Sequence, residues 1–124
     1  MASSQLVKVL IVDDDNFTRR IYKTMLFRFC FEITEVEDGK NAIQQFVDGN
    51  EYDLVLMDKH MPNMDGVEAT RTLRGMGIPV KIVAITDDAS SKDTFMDAGA
   101  DKFLLKPLTF SMLTDILKSF NFLN

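Results

Sequence analysis

One α/β domain built on a parallel sheet is the fold class that this chain of 124 residues predicts. Three observations carry the prediction. Short apolar runs (Val9 to Val12, Leu54 to Met57, Ile82 to Ile85 and Phe103 to Leu105) are continuous rather than alternating, which is the pattern of strands buried on both faces. Segments of helical period separate them, joined by short connections. Each run stops on polar or ionisable residues: Asp13 with Asp14 and Asp15, then Asp58, Thr86 and Lys106.

The elements follow in order. Leu6 to Val12 reads as the first strand. Phe17, Ile21, Met25 and Phe29 recur every four residues as one face of a helix, with Asn16 as its cap. Ile33 to Val36 is a second strand, diluted by Glu32, Thr34 and Glu35 and therefore placed at a sheet edge. Asp38 and Gly39 turn the chain into a helix carrying Ala42, Ile43, Phe46 and Val47, which Gly49 and Asn50 end. Leu54 to Met57 is the third strand. After a loop with Pro62 and Gly66, a helix marked by Val67, Thr70 and Leu73 closes at Gly75 and Gly77. Pro79 leads into the fourth strand, Val80 to Ile85. A short helix around Phe95 and Met96 ends near Gly99, the fifth strand follows, and Leu113, Ile116, Leu117 and Phe120 mark the last helix.

Five such units leave no room for a second domain, a repeat array or a linker, so residues 1–124 read as a single domain with its core from about 6 to 120. The sheet is parallel because each helix is a crossover, and crossovers of this kind are overwhelmingly right-handed, which limits the possible strand orders. The strand order 2-1-3-4-5 comes by analogy with the doubly wound, flavodoxin-like (βα)5 fold; the alternation alone does not fix it. In that order the crevice lies outside the ends of strands one and three. Those ends carry Asp13, Asp14 and Asp58.

Composition narrows the function classes. Hydrophobic residues at 46% and charged residues at 27% are globular values, and no run approaches the roughly 20 apolar residues of a membrane span. Met1 to Gln5 lack the basic and apolar regions of a secretory signal. The single Cys30, beside Phe29 and Phe31, reads as a small core residue and excludes an internal disulfide; a cytoplasmic or nuclear setting fits. Net charge of −5 argues against nucleic acid as a partner, and the pairs Arg19 with Arg20 and Arg71 with Arg74 read as solvated helix faces. A monomer is expected.

The residue types at the crevice suggest a chemistry. Carboxylates that meet there repel one another, and a hard divalent cation such as Mg2+ offsets this with oxygen ligands while also touching a phosphate. Lys106 can pair with that anion and Thr86 can donate to it. Such a site suits phosphoryl transfer, with Asp58 as the nucleophile that forms an aspartyl phosphate.

At these residues the chain resembles a known family, the receiver domain of two-component response regulators. The resemblance runs from about Val7 to Phe120 through VLIVDDD, LVLMDKHMPNMDG, VAIT, AGAD and FLLKP. It implies Asp58 as phosphoacceptor, Asp13 and Asp14 as the acidic pair, and Lys106 and Thr86 as phosphate contacts. It also implies Asp14 as the direct metal ligand, Asp13 acting through water, the backbone carbonyl of His60 as a further ligand, and a cis bond between Lys106 and Pro107. A switch follows in which Thr86 moves inward and Phe103, the aromatic of strand five, fills the space behind it; helix four, strand five and helix five then form the partner-facing surface. The implied donor is a histidine kinase or a histidine-containing phosphotransfer protein. With no output domain beside it, the chain is similar to stand-alone receivers, and more faintly to short plant regulators and hybrid-kinase receivers.

One departure stands out. The residue after the Thr is generally small in receivers, and here it is Asp87, with Asp88 behind it. A carboxylate at the entrance is expected to slow phosphorylation or restrict its donors. His60 and Asp88 stand where, in the family, side chains tune the lifetime of the phosphorylated state. Two other classes stay open: a pseudo-receiver that binds partners without phosphorylation, and a haloacid-dehalogenase-like phosphatase, whose DxDx[TV] motif is not met because Phe17 follows Asp13 and Asp15. An EF-hand reading of DDDNFT lacks the central Gly and the spaced Glu.

Overall fold

Three of the four apolar runs lie side by side in the middle of a parallel sheet, the fourth forms one edge, and helices cover both faces. A computed structural model of the protein describes residues 6–123; Met1 to Gln5, read above for a secretory signal, lie outside the described residues. The strands are β1 (Lys8–Val12), β2 (Glu32–Val36), β3 (Leu54–Met57), β4 (Lys81–Thr86) and β5 (Lys102–Leu105). They pair in parallel in the order 2-1-3-4-5, as the analogy predicted. Helices α1 (Asn16–Phe27), α2 (Gly39–Val47), α3 (Gly66–Gly75) and α4 (Lys92–Ala98) make the crossovers, and α5 (Phe110–Ser119) follows β5. Among the described residues no helix is long and apolar enough to cross a membrane.

Alternation along the strands divides the core into two layers. Leu10, Val12, Val55, Met57, Ile82 and Ala84 face Ala42 of α2, Leu73 of α3 and Phe95 of α4. Val9, Ile11, Leu54, Leu56, Val83 and Ile85 face Tyr22 and Leu26 of α1 and Leu113 and Leu117 of α5. Each large apolar side chain buried this way contributes about 1.5–3 kcal/mol relative to exposure. The central strands β1, β3 and β4 are therefore apolar on both faces. The edge strand β2 is only partly buried, as its diluted sequence predicted. The other edge, β5, departs from expectation: Lys102 and Leu105 are exposed, and only Phe103 and Leu104 are partly covered.

Helix α1 corrects several further readings. Its buried residues are Arg19, Tyr22 and Leu26, whereas Phe17 is 68% exposed and Ile21 38%. A strict four-residue spacing drifts by about 40° per step around a helix of 3.6 residues per turn, so the start of that stripe leaves the core while Met25 and Phe29 still reach it. Asp15, not Asn16, caps the helix, accepting from the Thr18 N–H at 3.1 Å and the Thr18 hydroxyl at 2.6 Å. Cys30 is exposed rather than in the core, because the turn after α1 places it at φ 59°. Two of the four arginines assigned to solvated faces are not solvated: Arg19 is buried, and Arg74 bonds the carbonyls of Ile78 and Gly99 and the Asp101 carboxylate.

The corrected face of α1 can be checked by urea unfolding. Leu26→Ala is expected to cost about 2–5 kcal/mol, and Phe17→Ala to stay within about 0.5 kcal/mol of the parent. Equal losses would restore the four-residue stripe as the buried face.

Candidate functional site

The register of the central strands builds the site. Val12 of β1 lies beside Met57 of β3, so the next residues, Asp13 and Asp58, emerge as neighbours at the carboxyl edge. Met57 pairs with Ala84, two residues before Thr86, and Thr86 pairs with Leu105, one residue before Lys106. Four strands thus deliver acids, a hydroxyl and an amine to one place. Backbone bonds hold them there: Asp58 N–H donates to the Val12 carbonyl at 2.9 Å, Asp13 N–H to Val36 at 3.2 Å, and Lys106 N–H to Thr86 at 2.8 Å.

Asp13, Asp14 and Asp58 each present a carboxylate oxygen, and these oxygens lie within 4.8 Å of one another. Three hard oxygen donors at such spacing fit a magnesium-type cation. Asp13 and Asp58 are buried and Asp14 is exposed. Lys106 Nζ stands between the buried pair, 3.2 Å from Asp13 Oδ2 and 3.2 Å from Asp58 Oδ1. The Lys106–Pro107 bond is cis, as the resemblance implied.

Burial raises the Asp58 carboxyl above its ordinary value, the charge of Asp13 raises it further, and Lys106 only partly offsets them. Burial alone would lower the Lys106 ammonium, but attraction to Asp58 and Asp13 prevails and holds it above its usual range. Buried Tyr22 is also pushed up, first by desolvation and then by the two acids. Negative charge therefore dominates the crevice.

The loops around Asp58 are tightly fixed. Gly66 is required by close approach: a Cβ there would lie 1.8 Å from the Asp58 carbonyl oxygen. Buried Asp38 caps α2 and accepts from Asn63 Nδ2 at 2.7 Å, tying down the β3–α3 loop that carries His60. Asn63 sits in the left-handed region at φ 69°. Across the mouth, Lys59 Nζ is 2.7 Å from Asp88 Oδ2, which holds the Asp88 carboxyl down at about 2, with Ser90 assisting. The Asp88 N–H donates to Thr86 Oγ1 at 3.2 Å, and His60 Nε2 is 3.8 Å from Asp88. Asp87 points to solvent; its neighbour Asp88 is the acid that reaches across. Phe103, partly buried, lies against Phe95 with ring centres 6.1 Å apart.

Every candidate at the strand ends is thus brought to one edge. Lys59 and Arg19 were missed. The position of Lys59 directly after Asp58 was the available signal for the first, and the spacing of Arg19 with Tyr22 and Leu26 for the second.

The response regulator receiver domain family matches residues 9–118. Two plant proteins share 42% identity with the chain. They are two-component response regulator 24 of Arabidopsis thaliana, over 98% of this chain and 88% of that protein, and two-component response regulator ORR41 of Oryza sativa subsp. japonica, over 94% and 95%. A solved receiver domain of a sensor histidine kinase from Pseudomonas aeruginosa, with magnesium coordinated in its active-site cleft, is similar at a TM-score of 0.84 and 29% identity, covering 94% of this chain and 98% of that one. A response regulator from Thermotoga maritima in complex with Mg2+ and BeF gives 0.84 at 30% identity, covering 93% and 99%.

The raised Asp58 carboxyl has a stability consequence. Below its unfolded value of 3.8 the group is neutral in both states, and as pH rises through the higher folded value its charge costs stability. Asp58→Asn is therefore expected to raise the melting temperature at neutral pH in chelator, with the gain shrinking toward about pH 4. Circular dichroism melts at the two pH values check this; an unchanged or lower neutral-pH melting temperature contradicts it.

Proposed function

This chain belongs to the response regulator receiver domain family, and from that premise we propose that Asp58 accepts a phosphoryl group from a phosphohistidine. The observation that carries the reading is the placement of Lys106 Nζ 3.2 Å from both buried acids, Asp13 and Asp58, with Asp14 beside them. An Asp58 oxygen attacks phosphorus in line, the P–N bond to the donor imidazole breaks, and its electron pair returns to the ring nitrogen. Water later cleaves the mixed anhydride to release inorganic phosphate. The family is a signalling module rather than a conventional enzyme, so these steps serve a change of state.

The residues divide the work. Asp14 directly, Asp13 through water, Asp58 and the His60 carbonyl would hold Mg2+, which supplies charge neutralisation at the transferring oxygens. The Pseudomonas and Thermotoga structures, described with magnesium, support Mg2+ as the cation. Lys106 pairs with a phosphoryl oxygen, and the Thr86 hydroxyl donates to another. Thr86 moving inward frees space for Phe103, which changes the surface of α4, β5 and α5, where Met96, Leu105 and Phe110 already stand exposed. A bias of about 1.4 kcal/mol shifts the two states tenfold. The donor is a histidine kinase or a histidine-containing phosphotransfer protein.

Incubation with acetyl phosphate or phosphoramidate and Mg2+ tests the reading by intact mass. One hydroxylamine-labile phosphoryl group is expected on the wild type and none on Asp58→Asn. An unlabelled wild type would leave a partner-binding pseudo-receiver instead, and steady turnover of small phosphate esters would leave a phosphatase.

Asp87 gives a second test. Asp87→Ala removes a carboxylate beside the entrance and is expected to speed transfer from a phosphohistidine donor roughly two- to fivefold, the equivalent of less than about 1 kcal/mol in the barrier. An unchanged rate would clear Asp87 of any part in donor access.

A further inference from the structure

A buried guanidinium stands behind the acidic pair. Arg19 is 8% exposed, although Arg20 and Lys23 on the same helix lie in solvent. Its Nη1 donates to the Asp13 backbone carbonyl at 2.6 Å, its Nε to Glu35 Oε1 at 3.2 Å, and its Nη2 to the Asn16 side-chain oxygen. Nη2 also lies 3.8 Å from Glu37, and Lys23 Nζ holds the other Glu35 oxygen at 2.9 Å. One side chain of α1 thereby joins the end of β1 to the edge strand β2.

We infer that Arg19 is a positioning residue for the cation site, fixing the peptide between Asp13 and Asp14 and so aiming the exposed Asp14 carboxylate at Asp13 and Asp58. The inference rests on the cation-dependent reading above. The Asp13 carbonyl and the Asp14 N–H belong to one rigid plane, so any tilt of that plane swings the Asp14 side chain. The other polar groups of Asp13 are already engaged: its N–H with Val36, Oδ1 with the Asp15 N–H at 2.9 Å, and Oδ2 with Lys106. The carbonyl is the remaining handle on the turn. Arg19 grips it with a planar fork whose other arms are anchored in Glu35 and Asn16.

Geometry rather than field is the working principle. Glu35 and Glu37 face the guanidinium and offset its charge, so a cation among the three aspartates meets little repulsion from it. A Lys at this position keeps the charge but cannot bond three acceptors in fixed directions. The two effects separate by substitution.

Calorimetric titration with Mg2+ compares wild type, Arg19→Lys, Arg19→Met and, as a destabilised control in the opposite core layer, Leu73→Val. Both Arg19 variants are expected to bind Mg2+ about tenfold more weakly, the lower end of what loss of an outer-shell partner costs. Leu73→Val is expected to bind as wild type does, and the Asp14 amide resonance to move in the cation-free Arg19 variants only. Should the Arg19 variants fail to fold, Glu35→Gln, which loosens the anchor and leaves the Asp13 contact, is expected to weaken binding by a smaller factor. Wild-type affinity in Arg19→Lys, or in Glu35→Gln where that variant stands alone, overturns the inference and leaves the cation reading intact. No Mg2+ binding by the wild type removes both.

Discussion

Repulsion between Asp13 and Asp58 is the constraint around which the carboxyl edge of the sheet is organised. Parallel pairing of β1 with β3 forces the two acids into adjacent buried positions, where an unpaired carboxylate costs several kcal/mol. Lys106 offsets part of that cost from β5, two strands away, and it can do so only because β4 separates β3 from β5 and the Lys106 N–H is bonded to Thr86. Burial first, and the charge of Asp13 second, keep the Asp58 carboxyl raised in spite of Lys106. Stability for this arrangement comes from the two apolar layers beneath it, which the site does not share.

The loops above the strands show the same economy of backbone. Gly66 lets α3 begin against the Asp58 carbonyl, Asp38 restrains the loop through Asn63, and Arg19 restrains the β1–α1 turn through a carbonyl. In the first and last of these a main-chain group is what the neighbouring residue meets, and in the second a side-chain amide of the loop. The Lys59–Asp88 ion pair adds a link between the loops after β3 and β4, and the Asp88 N–H brings that link to the Thr86 hydroxyl.

Legibility in the sequence followed burial. β3 was readable to the residue, and β1 and β4 nearly so, because a strand covered on both faces has no polar positions to blur its run. The strand-end residues were readable for the same reason, since each run stops at the carboxyl edge, where polar groups replace the apolar layers. The helix α1 was not, because two apolar residues, Phe17 and Ile21, are exposed while a charged one, Arg19, is buried, and hydropathy assigns both the wrong way. Arg19 is tolerated inside because its acceptors come from the end of β1, from α1 itself and from β2, and the approach of β2 is what no local pattern encodes. The strand order likewise depends on long-range pairing, and it was supplied by analogy.

Charge counting shows what a cation and a phosphoryl group would each do at such a site. Asp13, Asp14 and Asp58 against Lys106 leave two negative charges, which one divalent cation offsets. On the proposed reading, a phosphoryl group on Asp58 would restore negative charge beside Lys106, and the Thr86 hydroxyl proton would be free to answer it, since the Asp88 N–H engages only the hydroxyl oxygen. Drawing that hydroxyl toward the new charge would stretch the contact with Asp88, which Lys59 holds from the opposite loop. On that reading, the ion pair at the mouth would oppose the movement that a phosphoryl group on Asp58 favours, and the balance between these two interactions would set how far that group is felt at β5.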